Sequence, residues 1–350
     1  MVKVDSMGVN LSEIVPVDVL ALDALSGKRI AIDAYNAIYQ FLSVIRQPDG
    51  TPLMDSKGRI TSHLAGLLYR NANLLEAGIL PVYVFDGIPP EMKSQTILER
   101  SERRNRAKKE WEDALRSGDY AKAFSKATQS TRITNEIVAS SRILLTYLGI
   151  PIVQAPEEGE AQAAYMASKG DVWAASSQDF DSLLFGAPRL VRNLTLTSKR
   201  KLPGREDFKE VNIELIELQK TLEYLGISRD QLIDLCILMG TDYNEGLFGI
   251  GPKKALKLIK DYGNLETALK AIGAEIPKYD AIRRIFKDFE KTDQYSIENK
   301  AAEKSKVIEF LCEEHDFSRN RVENALSKID AAWTKIKTQQ RRQQSLDLWS

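Results

Sequence analysis

Two pairs of acids lie within one short stretch of this 350-residue chain, Glu158 and Glu160 as E-x-E and Asp179 and Asp181 as D-x-D. Between them runs VWAASS (172–177), which reads as protein interior. Carboxylates seldom bury unless a cation or hydrogen-bond donors meet them. Three more acids stand in similar surroundings: Asp33 closes RIAID, Asp86 closes PVYVFD, and Asp242 ends LIDLCILMGTD. Seven carboxylates brought together would repel one another, and bound cations make such a cluster tolerable. No Cys or His pattern accompanies them, so the ligands would all be oxygen, which suits Mg²⁺ or Mn²⁺. Seven acids exceed what one Mg²⁺ needs. Two ions about 4 Å apart would activate a water and stabilise the leaving oxygen of a phosphodiester. Either acid pair alone is a weak signal, because exposed pairs are common; the repeated placement after apolar runs carries the reading.

The elements that must position these acids are short apolar runs: RIAID (29–33), LPVYVFD (80–86), IPIVQA (150–155), DVWAASS (171–177) and RLVRNLT (189–195). The first four lack strict alternation, as expected of strands covered on both faces. Helix-length amphipathic stretches such as 61–77 and 132–148 lie between them. The pattern predicts an α/β fold, a mainly parallel central sheet flanked by helices. Four predicted strands carry acids just past their C-terminal ends, the edge of an open parallel sheet where ligands bind. Segment 88–131 breaks the pattern. Lys93 to Glu110 holds seven Lys/Arg and three Glu, and the segment reads equally as a solvated helical pair or a disordered insertion. From about 211 the chain reads as helical throughout. LFGIGPKKALKLIKDYG (247–263) sets a glycine-rich turn before a helix with Pro252 at its first position.

The composition, 43% hydrophobic and 28% charged, is that of a globular chain able to bury a large core without disulfides. Cys236 and Cys312 read as small buried hydrophobes in a reducing compartment, and two histidines, His63 and His315, are too few for a histidine metal site. There is no secretory pattern and no membrane-length apolar run. Net charge is zero, but the sum hides basic patches: Arg189 to Arg205 holds six Lys/Arg and no acid.

AIDAYNAIYQFL, VFDGIPPEMKS, QAPEEGEAQAAY, SSQDFDSLLFG and LMGTDYNEGLFGIGPKKAL resemble the successive signature blocks of the XPG-type 5′ nucleases, and their order and spacing most resemble those of archaeal flap endonucleases. The resemblance covers roughly residues 7–350. It implies a divalent-metal enzyme that cuts branched DNA at 5′ flaps, with associated 5′ exonuclease activity, in replication (Okazaki fragment maturation) and repair. It implies one nuclease domain over 7–330, made of a region about 7–87, a helical arch about 88–131, and a region about 132–330. The last region would hold a helix-hairpin-helix-like duplex-binding element at 247–263, and a flexible tail would follow at 331–350. Asp33, Asp86, Glu158 and Glu160 match the ligands of one Mg²⁺, and Asp179, Asp181 and Asp242 those of a second, with Mn²⁺ able to substitute. Lys93 and Arg100 match a basic pair over the scissile phosphate; by residue type alone they read as part of a solvated charge run. Tyr39 matches an aromatic on which a base stacks, though AIYQFL suits a core tyrosine equally. Arg46, Arg70, Arg103, Arg104, Gly249, Gly251, Lys253 and Lys254 match DNA contacts, and proteins of this kind often bind K⁺ through backbone carbonyls near 247–251. Gln343, Leu346 and Trp349 have the spacing of a peptide that docks on a sliding clamp of the proliferating cell nuclear antigen type. The resemblance further implies a monomer that acts in the cytoplasm, at the nucleoid, with no membrane partner. Two features depart from the pattern. Six residues precede Met7-Gly8-Val9, where relatives usually begin, and Ser350 follows Trp349 where a second aromatic is usual.

Other readings remain at this stage. Within the same family, a 5′ exonuclease or junction nuclease would use the same acids. D-x-D after a strand also fits an aspartate-nucleophile phosphatase, although Asp181 lacks the Thr two residues on. A non-catalytic DNA-binding protein on the clamp is a third reading.

Overall fold

The computed structural model describes residues 8–196, 199–201 and 208–347. Its centre is a seven-stranded sheet in the order β1-β9-β6-β5-β2-β3-β4. The strands are β1 (Asp18–Leu20), β2 (Arg29–Asp33), β3 (Leu80–Phe85), β4 (Ile152–Gln154), β5 (Ala174–Ser176), β6 (Arg189–Arg192) and β9 (Ile213–Glu217). β7 (Lys199–Lys201) and β8 (Phe208–Glu210) form a separate two-stranded ribbon. The five strands β6, β5, β2, β3 and β4 pair in parallel, as predicted, while β9 runs antiparallel to both β6 and β1.

The near-continuous apolar character of β2 and β3 has a direct cause. Ile30, Ile32, Tyr83 and Phe85 point into one core, and Ala31, Val82 and Val84 into the other. The first core is closed by α1 (Ala34–Val44), α2 (Ser62–Glu76), α5 (Asn135–Tyr147), α13 (Lys304–Ile308) and α14 (Arg319–Asp347). The second is closed by α6 (Gly159–Lys169), α7 (Asp181–Leu184), α9 (Arg229–Met239), α10 (Pro252–Tyr262), α11 (Leu265–Ile272) and α12 (Tyr279–Lys287). α8 (Leu218–Leu225) follows β9 directly, and α3 (Ser94–Arg116) and α4 (Tyr120–Gln129) stand apart from the sheet.

Two expectations are corrected, and one open reading is decided. Residues beyond 211 are not helical throughout: IELIE forms β9, burying Ile213 and Leu215 on one face and Ile216 on the other. Residues 289–303 carry neither helix nor strand, and the segment is tied to the body by Lys300 and Glu303 amides donating to the carbonyls of Gly149 and Tyr147. Residues 88–131 are an ordered helical pair rather than a disordered insertion. Ala107, Ala114, Ala123, Ala127 and Thr131 are its buried positions; Ala123 and Ala127 lie close against Gly50, and Lys126 pairs with Glu110 between the two helices. Finally, the body does not end at 330. Val322, Ala325, Leu326, Ile329, Ala332, Trp333 and Ile336 recur at helical spacing and all bury against α2 and its neighbours, which carries α14 past the expected start of a flexible tail.

A candidate active site at the sheet edge

β2 is flanked by β3 on one side and β5 on the other, so the chain reverses its direction of travel across the sheet there. The carboxyl ends of strands at such a point form a crevice, and six of the seven acids follow these strands and β4. Asp33 is the last residue of β2 and caps α1, its Oδ1 accepting from the Asn36 amide at 3.0 Å. Asp86 follows β3 and accepts from the Gly159 amide at 2.7 Å, which fixes the start of α6 against β3. Glu158 and Glu160 flank that glycine. Asp181 opens α7, and its Oδ1 accepts from the Val9 amide at 3.1 Å. Asp242 comes from the opposite side, on the turn after α9.

Three side chains tie these sources together. The Lys93 ammonium donates to Glu158 Oε2 at 2.6 Å and lies 3.2 Å from Asp242 Oδ2. Arg100 Nη2 reaches Asp242 Oδ1 at 2.5 Å. Asn36 Nδ2 donates to Asp179 Oδ2 at 3.2 Å, so one residue serves both Asp33 and Asp179. Lys93 and Arg100 therefore leave the solvated charge run and face the acids across the crevice. Thr96 adds a second link from α3, its hydroxyl donating to the Asp242 carbonyl at 2.8 Å.

The electrostatics are those of crowded, desolvated carboxylates. Burial, then the charge of Asp86, pushes Asp33 well above the usual carboxylate range. Burial and Glu158 raise Asp86 to about 6, and burial and Asp242 raise Asp179 to about 6. Glu160 and Asp181 are held well above the ordinary value by burial first, then by Asp181 and Asp242 respectively. Burial alone would lower Lys93, but the charges of Glu158 and Asp242 raise it. Such a cluster calls for positive charge beyond that of one lysine and one arginine. Glu158 Oε1 is buried with no hydrogen-bond partner, as expected of a ligand oxygen awaiting a cation. Among the described residues, no three carboxylate, imidazole or thiol groups close into a ready ligand set. With Lys93 and Arg100 holding Glu158 and Asp242, the acids are gathered but not drawn inward. The donor set, all oxygen and partly orphaned, fits a hard divalent cation.

The other expected contacts divide. Tyr39 is half-buried within electrostatic reach of Arg46 and Arg104. Arg103 is exposed and Arg104 half-buried on α3. Arg46 donates to the carbonyls of Leu42 and Gly50 and to the Thr131 hydroxyl, clamping the end of the helical pair to α1. Arg70 spends its guanidinium on the Leu194 carbonyl. Both guanidiniums are half-buried and engaged with groups of the protein itself. Gly249 and Gly251 have open space where a Cβ would stand, Gly251 caps α10 with Pro252 at its first position, and Lys253 and Lys254 are exposed beside them. Lys254 donates to the Gly249 carbonyl at 3.0 Å. The side chains of Gln343 and Leu346, and all of Trp349, lie outside the described residues.

Sequence reading missed Asn36, Ser177, Thr96 and the Gly8–Val9 strap. Ser177 donates to Glu160 Oε1 at 2.5 Å and accepts from the Asp179 amide. A Cβ on Gly8 would stand 2.2 Å from Asp181 Oδ2, so only glycine lets the chain pass there. Asn36 had a usable signal: it lies three residues after Asp33, on the same helical face. The strap had none, because it joins residues 172 positions apart.

Comparison with known proteins now decides the family. Residues 3–107 match the XPG N-terminal domain and residues 149–242 the XPG I-region. Flap endonuclease 1 of Archaeoglobus fulgidus is 55% identical over 326 residues, 93% of this chain and 96% of that protein. The chain belongs to the flap endonuclease 1 family. The Pyrococcus abyssi flap endonuclease 1 is 54% identical over 93% of this chain and 95% of its own. The solved flap endonuclease-1 from Methanococcus jannaschii superposes with a TM-score of 0.74 at 42% identity, covering 95% of this chain and all of that one. The flap endonuclease assignment removes the phosphatase alternative and fits a crevice built from residues of both matched segments.

Proposed function

We propose that this flap endonuclease cuts branched DNA at 5′ single-stranded flaps with two divalent cations held in the acid crevice. The observation that carries the proposal is the gathering of seven carboxylates under Lys93 and Arg100. As a member of its family the chain is a structure-specific 5′ nuclease of DNA replication and repair. Asp33, Asp86, Glu158 and Glu160 would hold one ion, and Asp179, Asp181 and Asp242 the other. When bound, such a pair lowers the pKa of a water and offsets charge on the phosphodiester, and Mg²⁺ or Mn²⁺ suits the oxygen donors. Asn36 and Ser177 orient Asp179 and Glu160, and the Gly8–Val9 strap fixes Asp181. Lys93 and Arg100 are the groups that meet the scissile phosphate. To do so they must exchange Glu158 and Asp242 for the substrate, and their charge then offsets that of the non-bridging oxygens.

The helical pair of α3 and α4 forms the arch that admits a free 5′ strand, with Tyr39, Arg103 and Arg104 along its base. The turn before α10 presents open glycine backbone, a helix N-terminus and exposed lysines, which suits sequence-independent contact with duplex phosphates. The Gly249 carbonyl receives the Lys254 ammonium, so a K⁺ ion there would compete with that lysine. The tail, through Gln343, Leu346 and Trp349, is proposed to dock on a sliding clamp. No described helix is long and apolar enough to cross a membrane.

Incubation with a 5′-labelled flap substrate and a small phosphate ester, with Mg²⁺ and with or without EDTA, tests the reading. Flap release that stops with EDTA, and an untouched ester, are expected. An EDTA-resistant cut would remove the metal from the account, and hydrolysis of the ester alone would remove the nuclease.

A further inference from the structure

The turn between α9 and α10 carries an aromatic side chain with nothing over it. Phe248 has 106% relative exposure, the highest of the exposed large hydrophobics among the described residues. Its neighbours do the opposite. Leu247 and Ile250 pack against the core, and the Leu247 amide donates to the Leu238 carbonyl at 2.9 Å. Gly246 lies so close to the chain at 239–240 that a Cβ would meet backbone at 2.2 Å. The turn is thus pinned on both sides of Phe248, and the ring is presented outward on a fixed support. A pinned, solvated phenyl ring contributes nothing to folding, since burying it elsewhere would stabilise the protein.

The surroundings define what covers the ring. Between Glu245 and Asp261 the chain carries no acid, while Lys253, Lys254, Lys257 and Lys260 are exposed on the following helix; Lys253 lies 3.5 Å from Glu13 and Lys254 donates to the Gly249 carbonyl. An apolar protein partner covering the ring would lie beside a helix whose exposed side chains are mostly lysines. A polyanion with apolar faces of its own is complementary to both features. Duplex DNA is such a partner: phosphates for the lysines and the α10 N-terminus, and deoxyribose and base edges in the minor groove for the ring.

We infer that Phe248 is a positioning residue that packs against the sugar face of the minor groove in the duplex arm, giving the enzyme a salt-insensitive grip beside the salt-sensitive one of its lysines. The inference rests on the flap endonuclease reading and adds to it a contact of a different physical kind. Phosphate contacts lose strength steeply with salt because they release counterions, whereas an apolar contact does not. Phe248 therefore matters most at high ionic strength.

The test is a measurement of Kd for a flap DNA with long duplex arms, over a series of KCl concentrations, for the wild type, Phe248→Ala, Phe248→Tyr and Lys257→Ala. Loss of one buried ring predicts about tenfold weaker binding for Phe248→Ala at every salt concentration, with an unchanged log–log salt slope. Phe248→Tyr keeps most of the affinity. Lys257→Ala instead reduces the slope by about one contact. The ring is solvated, so Phe248→Ala melts as the wild type does. Single-turnover cleavage at saturating enzyme is measured alongside, so failure of the parent reading is seen as a wild type that does not cut flaps. If the wild type cuts and Phe248→Ala binds equally well, the inference is overturned. It is also overturned if the variant's salt slope falls, which would mean the ring only props the lysines. Loss of self-association in sedimentation with unchanged DNA binding overturns it as well, and assigns the ring to a second copy of the chain.

Discussion

Two clusters of buried charge in this molecule are built in opposite ways. At the sheet edge, five carboxylates are raised above their ordinary range and Glu158 keeps an unpartnered oxygen. In the loop before α2, Asp55 is fully provided for. It accepts from the amides of Lys57 and Arg59, from Arg59 Nε at 2.7 Å, and from His315 Nδ1 at 3.1 Å. Burial would raise it, but these donors bring it down to about 2. Asp316 accepts from the Ser56 amide at 2.6 Å in the same place. The Asp55 cluster locks the loop before α2 to the turn before α14 and is complete as it stands. The sheet-edge cluster is incomplete, and its missing charge is what makes it useful. A site that must bind cations and phosphate cannot also satisfy itself.

Substitutions separate the two. The largest effect expected is at Asp181: Asp181→Ala should lower the cleavage rate by at least about a thousandfold while duplex binding, measured by fluorescence anisotropy, largely persists. Normal turnover by this variant would detach the crevice from catalysis. The same change removes repulsion, which offsets the lost Val9 hydrogen bond, so the EDTA-treated variant should melt close to the wild type. Arg100→Ala comes next. Single-turnover cleavage should slow by about a hundredfold with little change in Kd, and an unchanged rate would leave Arg100 a mere counter-ion of Asp242. Asp55→Asn reverses the pattern, costing about 3 kcal/mol of folding stability in denaturant titrations and leaving kcat at 25 °C as it was.

The smallest effect is a matter of pH, and it has opposite sign at the two clusters. Asp55 has a folded pKa of about 2, below the ordinary 3.8, so its stability is present above that value and lost as pH falls through 2. Asp86 and Asp179 have folded values of about 6, above the ordinary 3.8. Their contribution to the metal-free protein is fullest below 3.8 and is lost as pH rises through 6. In EDTA, stability should decline between pH 4 and 6, and Asp179→Asn should flatten that decline without touching the acid limb. A variant whose profile overlays the wild type would show that the two clusters titrate alike.

Much of the sheet edge was legible in the sequence because its logic is local. An apolar run followed by an acid marks a strand and its carboxyl end, and β2 falls on the residues that RIAID suggested. The Asp55 lock was invisible, since its partners lie 260 residues apart and His315 looks like any lone histidine. β9 was lost because IELIE, running straight into a helix, is too short for its alternation to compete with its surroundings. The α14 stripe from Val322 to Ile336 was readable at helical spacing and was overlooked beside the polar end of the chain. That Arg46 and Arg70 hold carbonyls of the protein itself is a contact that residue type does not reveal.

Manganese soaked into crystals of the protein, and located by its anomalous scattering, measures the missing charge itself. Two peaks are expected, one among Asp33, Asp86, Glu158 and Glu160 and one among Asp179, Asp181 and Asp242, with Lys93 and Arg100 released from Glu158 and Asp242. A crevice without any peak, its acids still paired to Lys93 and Arg100, would contradict the account.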